Sequence, residues 1–92
     1  MKKFTISGKV FIWPGEMGWH FIYVDKKNVA KIRKSNPRGF VKIRATLGKT
    51  LWETSLFPYK KEDTYLLAIK KAIRQKESVF SGDLVKVKIE LI

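Results

Sequence analysis

The sequence predicts a small, mainly β protein in which six short strands and two short helices form a barrel. Apolar and polar residues alternate along most of the chain, as in strands that turn one face to a core. The chain also matches itself when it is shifted by 44 residues, which predicts two like halves of order ββαβ. Because an open sheet of short strands would leave its edges unpaired, we expect it to close fully or in part, with the helices capping its ends.

The shift predicts a single domain over residues 1–92, built from pseudo-repeat halves 1–47 and 48–92. The residues of the first half that have an identical partner in the second are Pro14, Lys26, Lys27, Val41, Lys42 and Leu47. We expect a pseudo-two-fold axis that relates Lys42 to Lys86. The alternative interpretation is that strands of alternating valine and lysine look alike without any duplication.

In the first half, strands are predicted at residues 4–12, 19–24 and 40–47. The inward side chains of the first strand are predicted to be Phe4, Ile6, Val10 and Ile12. Gly8 indicates a bend or bulge in that strand, because glycine inside a strand commonly marks one. Asp25 lies where a helix N-cap belongs, and its carboxylate can accept from the first amides of a helix over about 26–34.

In the second half, strands are predicted at residues 50–57, 64–69 and 84–92. Gly48-Lys49 joins the halves, and glycine in the first place of a two-residue loop favours a type II′ hairpin turn. A second helix is predicted over 70–77, with Ala72 and Ile73 directed inward. Ser81-Gly82-Asp83 predicts a turn before the last strand.

The composition limits the classes of function. The chain carries 20 Lys and Arg against 8 Asp and Glu, a formal net charge of +12 that attracts phosphates, acidic proteins and anionic surfaces. The chain has no cysteine, which excludes disulfides and thiolate chemistry. It has no apolar run of about 18 residues and no signal-peptide pattern at its start, so we expect a cytoplasmic protein without a membrane partner.

The segment Leu66–Arg74, followed by Ser81–Val87, resembles a known signature. It is similar to the strand, short helix with arginine, Gly-Asp turn and strand of AbrB- and MazE-type swapped-hairpin domains. Those domains are dimeric DNA-binding regulators and antidotes, in which each chain supplies half of a double-split barrel. The resemblance implies that one duplicated chain supplies both halves here.

A second resemblance covers nearly the whole chain. Its motifs are Gly18–Val24, Val41–Ile43, Trp52–Pro58, Tyr65–Leu67 and Ile73-Arg74 with Gly82–Val87, in that order. Together they are similar to a small bacterial and archaeal family catalogued as a domain of unknown function, which occurs alone or ahead of a YdeI/OmpD-associated domain. The resemblance implies a double-split β-barrel and brings no activity or site residues with it.

The sequence predicts no catalytic residue, metal or cofactor. His20 is the only histidine, and without cysteine no spacing of metal ligands is present. An alternative interpretation is a small-ligand or enzymatic pocket around Trp19, His20, Trp52 and Ser55. The plainer expectation for each of these residues is a structural place in a strand, because a catalytic group is recognised by its geometry.

The basic residues indicate a different kind of site. The predicted nucleic-acid-binding residues are Lys42, Arg44, Lys86, Lys88, Arg74 and Arg38. Lys42 and Arg44 alternate with apolar neighbours and are expected to point outward, as are Lys86 and Lys88 in the other half. Such strips could follow a phosphate backbone without reading its sequence. The alternative is a solvated face whose charges deter edge pairing.

Aromatic residues form the remaining candidate. Trp19, Phe21 and Tyr23 share one face of a strand, while Phe11 and Trp13 oppose the inward set of the first strand. Exposed rings can stack the bases of single strands, whereas packing in the core is the ordinary role of large rings. Trp13 is expected to be the surface aromatic.

The leading functional hypothesis is a non-catalytic binding module for an anionic partner, either nucleic acid or an acidic protein, with nucleic acid first. A ligand pocket and a protein-interaction domain are the alternatives. We expect a monomer or a weak dimer.

Overall fold

The computed structural model describes residues 3–15, 17–35 and 39–92. Its strands are β1 Lys3–Lys9, β2 Phe11–Ile12, β3 His20–Tyr23, β4 Val41–Leu47, β5 Thr50–Tyr59, β6 Thr64–Ala68 and β7 Leu84–Leu91. Its helices are α1 Lys26–Ser35 and α2 Lys71–Glu77, and a 3-10 turn spans Lys60–Glu62. The mainly β fold with two short helices is confirmed, and the first predicted strand is divided in two at Val10.

The strands form one curled, half-barrel sheet of order β1-β7-β4-β5-β6-β3-β2, in which all neighbours are antiparallel. We call β1, β7, β4 and the first part of β5 sheet 1, and the last part of β5 with β6, β3 and β2 sheet 2. The strands β1 and β2 lie at opposite ends of this order, yet only Val10 separates them in the chain. The sheet therefore curls until its two ends meet in one bent strand.

The close approach of β1 to β3 depends on Gly8. A Cβ atom at Gly8 would lie 3.1 Å from the carbonyl oxygen of Tyr23 and 3.2 Å from Cβ of Ile22. The Val10 amide donates a hydrogen bond to the carbonyl oxygen of Asp83 at 2.8 Å, and the Val10 carbonyl oxygen accepts from the Gly82 amide at 2.7 Å, so Val10 is bonded to the turn before β7. The predicted bend is present, just beyond the glycine that indicated it.

The pairing of β4 with β7 follows the 44-residue shift. Ala45 lies opposite Ile89, its own partner under the shift, so the pseudo-two-fold axis passes through this pair. The register between β3 and β6 is also symmetric under the 44-residue shift. The relation of Lys42 to Lys86 by this axis stays a prediction of the sequence repeat.

The first strand of each half departs from that shift. Phe11 pairs with Phe21, whereas Pro58 pairs with Tyr65, which is the partner of Phe21 under the shift. Phe11 therefore corresponds to Pro58, at a shift of 47 residues (58 − 11). The alignment of Pro14 with Pro58 is wrong as a structural equivalence, because the loop before β3 is longer than the loop before β6.

Aliphatic side chains of both halves fill the barrel. The most enclosed are Ile6, Val10, Ile22, Ile32, Val41, Ile43, Leu56, Leu67, Ile69, Val87 and Ile89. Ile12, which was predicted to point inward, is 49% exposed. It pairs with His20 at the outer end of β3, and the buried core cluster does not extend to it.

Each helix turns one face to the barrel. In α1, Val29 and Ile32 are buried, and the Asp25 carboxylate accepts from the Asn28 amide at 3.3 Å, which confirms the predicted N-cap. In α2, Ile73 is buried, but Ala72 is exposed and the prediction for it is wrong, because this short helix buries only one position. In the part of the chain that the structure describes, no helix is long and apolar enough to cross a membrane.

The turn between the halves has the predicted conformation. Gly48 has φ of 60° and Lys49 does not have positive φ, the combination that a type II′ turn requires. The Glu77 carboxylate at the end of α2 accepts from the Thr50 hydroxyl at 2.7 Å and from the Lys49 amide at 3.4 Å. The second helix and the central hairpin are thereby linked.

Candidate functional site

Aromatic side chains cover the side of sheet 2 that faces away from the core, and we call this surface the aromatic face. It takes Phe11 and Trp13 from β2 and its flank, Trp19, Phe21 and Tyr23 from β3 and its flank, and Phe57 and Tyr59 from β5, with Phe40 at its border. Leu66 and Ala68 of β6 pack beneath the rings. This cluster is separate from the core, whose inward residues alternate with it along each strand.

The rings of the aromatic face order one another. Phe11 and Tyr23 stack with centroids 4.8 Å apart and planes 21° apart, and Trp19 and Phe21 stack at 6.0 Å and 13°. Trp13 meets Phe21 edge-on at 5.7 Å. Offset stacks and edge contacts are the favoured arrangements of aromatic pairs, so the rings form a preorganised surface.

Much of this surface is open to solvent. Phe21 is buried at its centre, while Trp19 is 48%, Tyr23 is 37% and Phe40 is 69% exposed. Trp13 is half-buried, and Trp19 is the more open of the two indoles. The aromatic set that cannot enter the core is therefore uncovered at Trp19, Tyr23 and Phe40, while its other rings are buried or half-buried.

The Tyr23 hydroxyl lies close to Tyr59 and to the 3-10 turn. Burial raises the pKa of Tyr23, and the charges of Tyr59 and Glu62 raise it further. The Tyr23 and Tyr59 rings stack with centroids 6.1 Å apart. Tyr23 is therefore a neutral hydrogen-bond donor at any pH near neutrality.

A groove lies beside the aromatic face, where β5 parts from β6. Residues 50–56 of β5 pair with β4, and only residues 57–59 pair with β6. This divergence leaves a cavity of about 520 Å³, which we call the split groove. Its apolar wall includes Trp19, Phe57 and Ala68, and its basic rim is Lys70, Lys71 and Arg74.

Two hydrogen bonds fix the rim of the split groove. Arg74 Nη1 donates to the carbonyl oxygen of Ile69 at 2.7 Å, which holds the guanidinium beside the end of β6. His20 Nδ1 donates to the carbonyl oxygen of Gly18 at 2.8 Å, because a carbonyl can only accept. The neutral ring then carries its proton on Nδ1, and Nε2 is an acceptor.

The acidic side chains of the described residues form no ion pair with this rim. Those that bond to other groups of the described chain are Asp25, Glu53, Asp63, Glu77, Asp83 and Glu90. Lys70 and Lys71 have no ion-pair partner among the described residues. The rim therefore presents unpaired positive charge next to exposed rings.

The outer surface of sheet 1 carries a row of alternating charges. Lys3, Glu90, Arg44 and Glu53 lie side by side across β1, β7, β4 and β5. Arg44 is 3.2 Å from the Glu90 carboxylate and 3.4 Å from that of Glu53, and Lys3 is 3.9 Å from Glu90. Two carboxylates thus engage the arginine that was predicted to contact phosphate.

The lysines of sheet 1 lie on both sides of this row. Lys86 and Lys88 are exposed on one side of it, and Lys42 is exposed on the other. The three do not form one continuous strip, because the neutral row separates them. Arg74 lies at the split groove instead, and Arg38 falls outside the described residues.

The comparisons with known proteins place the chain in a family. Residues 7–89 match the family described as a domain of unknown function, DUF1905. The chain belongs to the DUF1905 family. No curated protein matches the chain. The matched segment of this DUF1905 domain runs through both halves and includes the split groove and nearly all of the described strands.

The structure separates the four residues of the alternative pocket of this DUF1905 domain. Trp19 and His20 line the split groove. Trp52 packs against the core, where its Nε1 is buried without a partner, and Ser55 lies opposite Lys42 on sheet 1. The described residues hold no group of three or more His, Cys, Asp or Glu side chains suited to a metal ion.

Sequence reasoning missed the place of Phe57 in this DUF1905 domain. The shift aligns Lys70-Lys71 with Lys26-Lys27, and the sequence predicts both pairs at helix starts, as parts of two related basic strips that could follow a phosphate backbone. Phe57 follows Leu56, and alternation alone gives it the outward side. What the sequence did not contain was the point at which β5 changes partners.

Proposed function

We propose that this DUF1905 domain is a non-catalytic binding module for an anionic partner, and that the partner is single-stranded nucleic acid. The observation that supports the proposal is the contact between the aromatic face and the split groove, which share Trp19 and Phe57. Open rings and unpaired cations are thereby brought to one surface. Proteins that bind single strands combine these two features.

The exposed rings supply the base contacts in this proposal. Every base has a π-face, so stacking on Trp19, Tyr23 or Phe40 requires no particular sequence. The rings are already packed against one another, so little ordering is needed when a strand binds. A preorganised aromatic surface favours unpaired bases over duplex, whose bases are already stacked.

The rim cations supply the phosphate contacts. Lys70, Lys71 and Arg74 lie at the border of the aromatic face, where a bound strand would place its backbone. Neutralising phosphates releases condensed counterions, so binding must weaken as salt rises. The net charge of +12 adds a long-range attraction for the same partner.

The outer surface of sheet 1 supports such binding less well. Its arginine is engaged by Glu90 and Glu53, and its row of charges has both signs. The remaining lysines are well hydrated point charges, which are less suited than arginine to planar recognition. We therefore assign Lys42, Lys86 and Lys88 to general electrostatic attraction.

Fluorescence anisotropy tests the proposal. A labelled single-stranded oligonucleotide of about 15 nucleotides should bind more tightly than a duplex of the same length. If the three rim cations each meet a phosphate, the plot of log K against log salt has a slope of about −2. Equal affinity for the single strand and the duplex, or an affinity that does not change with salt concentration, would contradict the proposal.

Substitution of the exposed rings tests the surface itself. Trp19→Ala and Phe40→Ala should each weaken binding of the single strand by about 5- to 100-fold, the loss expected for one stacked base. Leu84→Ala is the matched control, because Leu84 is 73% exposed on sheet 1. An equal loss in the control would show that any exposed apolar group contributes, and would overturn the assignment to the aromatic face.

A second candidate function is a small-ligand site, which the split groove favours. Its volume of about 520 Å³ and its mixture of apolar wall and basic rim suit an organic anion. An acidic protein is a further partner that the charge allows. We also propose that the fold descends from a swapped-hairpin dimer of AbrB or MazE type. Fusion of relatives to a YdeI/OmpD-associated domain is a separate proposal.

A further inference from the structure

At α1, the lysine that corresponds to Lys70 is bonded to a neighbouring loop. Lys26 is the partner of Lys70 under the 44-residue shift. Its Nζ donates to the carbonyl oxygens of Glu62 at 2.6 Å and of Asp63 at 3.1 Å, in the loop before β6. The start of α1 is thereby bonded to the loop beside it, and the lysine is occupied.

Beside α2 the corresponding loop carbonyl is already used. Gly18 is the partner of Glu62 under the shift, and its carbonyl oxygen accepts from His20 Nδ1. The side-chain ammonium of Lys70 has no hydrogen-bond or ion-pair partner among the described residues. A histidine thus holds its own loop in place, and the ammonium of Lys70 is left at the groove.

The arginine is a second difference between the halves. Arg74 lies at the rim of the split groove, and its partner under the shift is Ala30, which has no charge. The bond from Nη1 to Ile69 fixes the guanidinium without neutralising it. A fixed guanidinium can present two donors to a phosphate, which lysine cannot do in a planar arrangement.

The apolar wall completes a site for a flat ring. Trp19 lies parallel to Phe21, so one face of its indole is covered while 48% of the residue stays exposed. Phe57 and Ala68 continue this wall into the groove. The cavity volume of about 520 Å³ falls in the usual range for organic ligands.

We infer that the split groove is a subsite for one nucleotide, with the base against Trp19 and the phosphate on Lys70, Lys71 and Arg74. The inference rests on the proposed function, because it names the place where one nucleotide of a bound strand is held. The corresponding place at α1 differs in its described side chains, since Lys26 is bonded to the loop before β6 and Ala30 stands where α2 has the arginine.

The test uses adenosine 5′-monophosphate as the probe and the indole N–H signal of Trp19 in NMR spectra as the readout. In the unmodified chain the signal should shift saturably, and adenosine without phosphate should bind at least about 5-fold more weakly. The double variant Lys70→Gln, Lys71→Gln should lose about 10-fold in affinity. The control is Lys86→Gln, Lys88→Gln, which removes the same charge from sheet 1 and should retain the affinity.

Loss of affinity to the same extent in both double variants would overturn the inference, because the effect would then follow net charge alone. A Trp19 signal that does not move would overturn it too. Thermal unfolding of each variant confirms that it remains folded, and exposed lysines are suited to this change.

Binding of an oligonucleotide separates the two claims. If the oligonucleotide binds and both double variants bind it equally, the subsite is wrong and the aromatic face stands. If the monophosphate binds at Trp19 and the oligonucleotide does not bind, the proposed function is wrong and the groove is a small-ligand site. If neither binds, both are overturned.

Discussion

Single residues determine how the loops of this barrel are held. The Asn28 side chain is buried, and its Nδ2 donates to the carbonyl oxygen of Thr5 at 2.9 Å and to the Asp25 carboxylate at 3.0 Å. This bonding fastens α1 to β1. At the other helix, Glu77 bonds to the central hairpin. The equivalent helices are therefore anchored by unrelated side chains, and the repeat in the sequence could not show this.

Gly48 is the position where backbone conformation and space act together. Its φ of 60° disfavours a side chain, and a Cβ atom there would overlap the Glu77 carboxylate. Gly48→Ala should lower the free energy of unfolding by about 2–3 kcal/mol, of which about 1–2 kcal/mol is the cost of the left-handed conformation.

Urea denaturation measures this loss, and Gly39→Ala is the control. Gly39 has φ of 69°, but nothing lies within 4 Å of the Cβ position. The control should lose only the conformational part, about 1–2 kcal/mol. Equal losses in the two variants would show that Glu77 moves aside without cost.

The raised pKa of Tyr23 predicts a change in stability at alkaline pH. A tyrosine whose pKa is higher in the folded chain contributes stability that is present below its ordinary pKa, near 10, and is lost as pH rises above that value. Tyr23→Phe cannot ionise, so it should lose less stability between about pH 8 and pH 11. The denaturation midpoint of both chains at each pH gives the comparison. A larger loss of stability in Tyr23→Phe than in the unmodified chain would contradict the prediction.

At the scale of elements, alternation predicted the strands because one side of each strand is buried in a single core. It failed for Ile12, which lies beyond the end of that core, and it said nothing of where β5 changes from β4 to β6. The alignment of Pro14 with Pro58 gave a wrong structural equivalence because the two loops differ in length. Periodicity reports which side of a strand faces a core, and it does not report strand partners.

The same limit applies to the candidate site. The sequence marked Arg44 as outward, which is where it lies. Its neutralisation by Glu90 and Glu53 depends on partners that are distant in the chain. The predicted nucleic-acid-binding set therefore contains one arginine that is ion-paired, Arg44, and one that lies at the split groove, Arg74. Charge type can be read from the sequence, but the availability of a charge depends on cross-strand pairing.

The two arginines should accordingly differ in their effects on binding. Arg74→Gln should weaken binding of a single-stranded oligonucleotide by about 5-fold or more, since a fixed guanidinium at the groove is lost. Arg44→Gln should change the affinity by less than about 2-fold, because its charge is already paired. Anisotropy titrations of both variants at one salt concentration give the ratio. A larger loss of affinity for Arg44→Gln than for Arg74→Gln would indicate that the binding site lies on sheet 1 instead.

Closure of the barrel depends on the small size of residue 8. Gly8→Val should lower the free energy of unfolding by about 1–3 kcal/mol, because its side chain would press on Ile22 and the carbonyl oxygen of Tyr23. Ser7→Val is the control, since Ser7 is exposed on the same strand and valine suits a strand. If Gly8→Val were as stable as the control, β1 and β3 would not be in close contact.

At the scale of the whole molecule, a nearly symmetric barrel carries an asymmetric surface. The pairing of β4 with β7 is centred on Ala45 and Ile89, but the groove with an arginine and lysines that lack ion-pair partners among the described residues lies beside α2. Sheet 2 presents rings and sheet 1 presents a row of alternating charges. Strand pairing that follows the repeat therefore does not make the surfaces of the two halves alike.

Mapping a bound strand onto the two sheets tests the central claim most directly. Backbone amide signals would be followed by NMR while a short unlabelled oligouridine is added at low salt. The proposal predicts the largest shifts around Phe11, Trp19 and Tyr23 and along α2, with small shifts on sheet 1. Shifts concentrated at Lys42, Lys86 and Lys88, with the aromatic face unchanged, would contradict it.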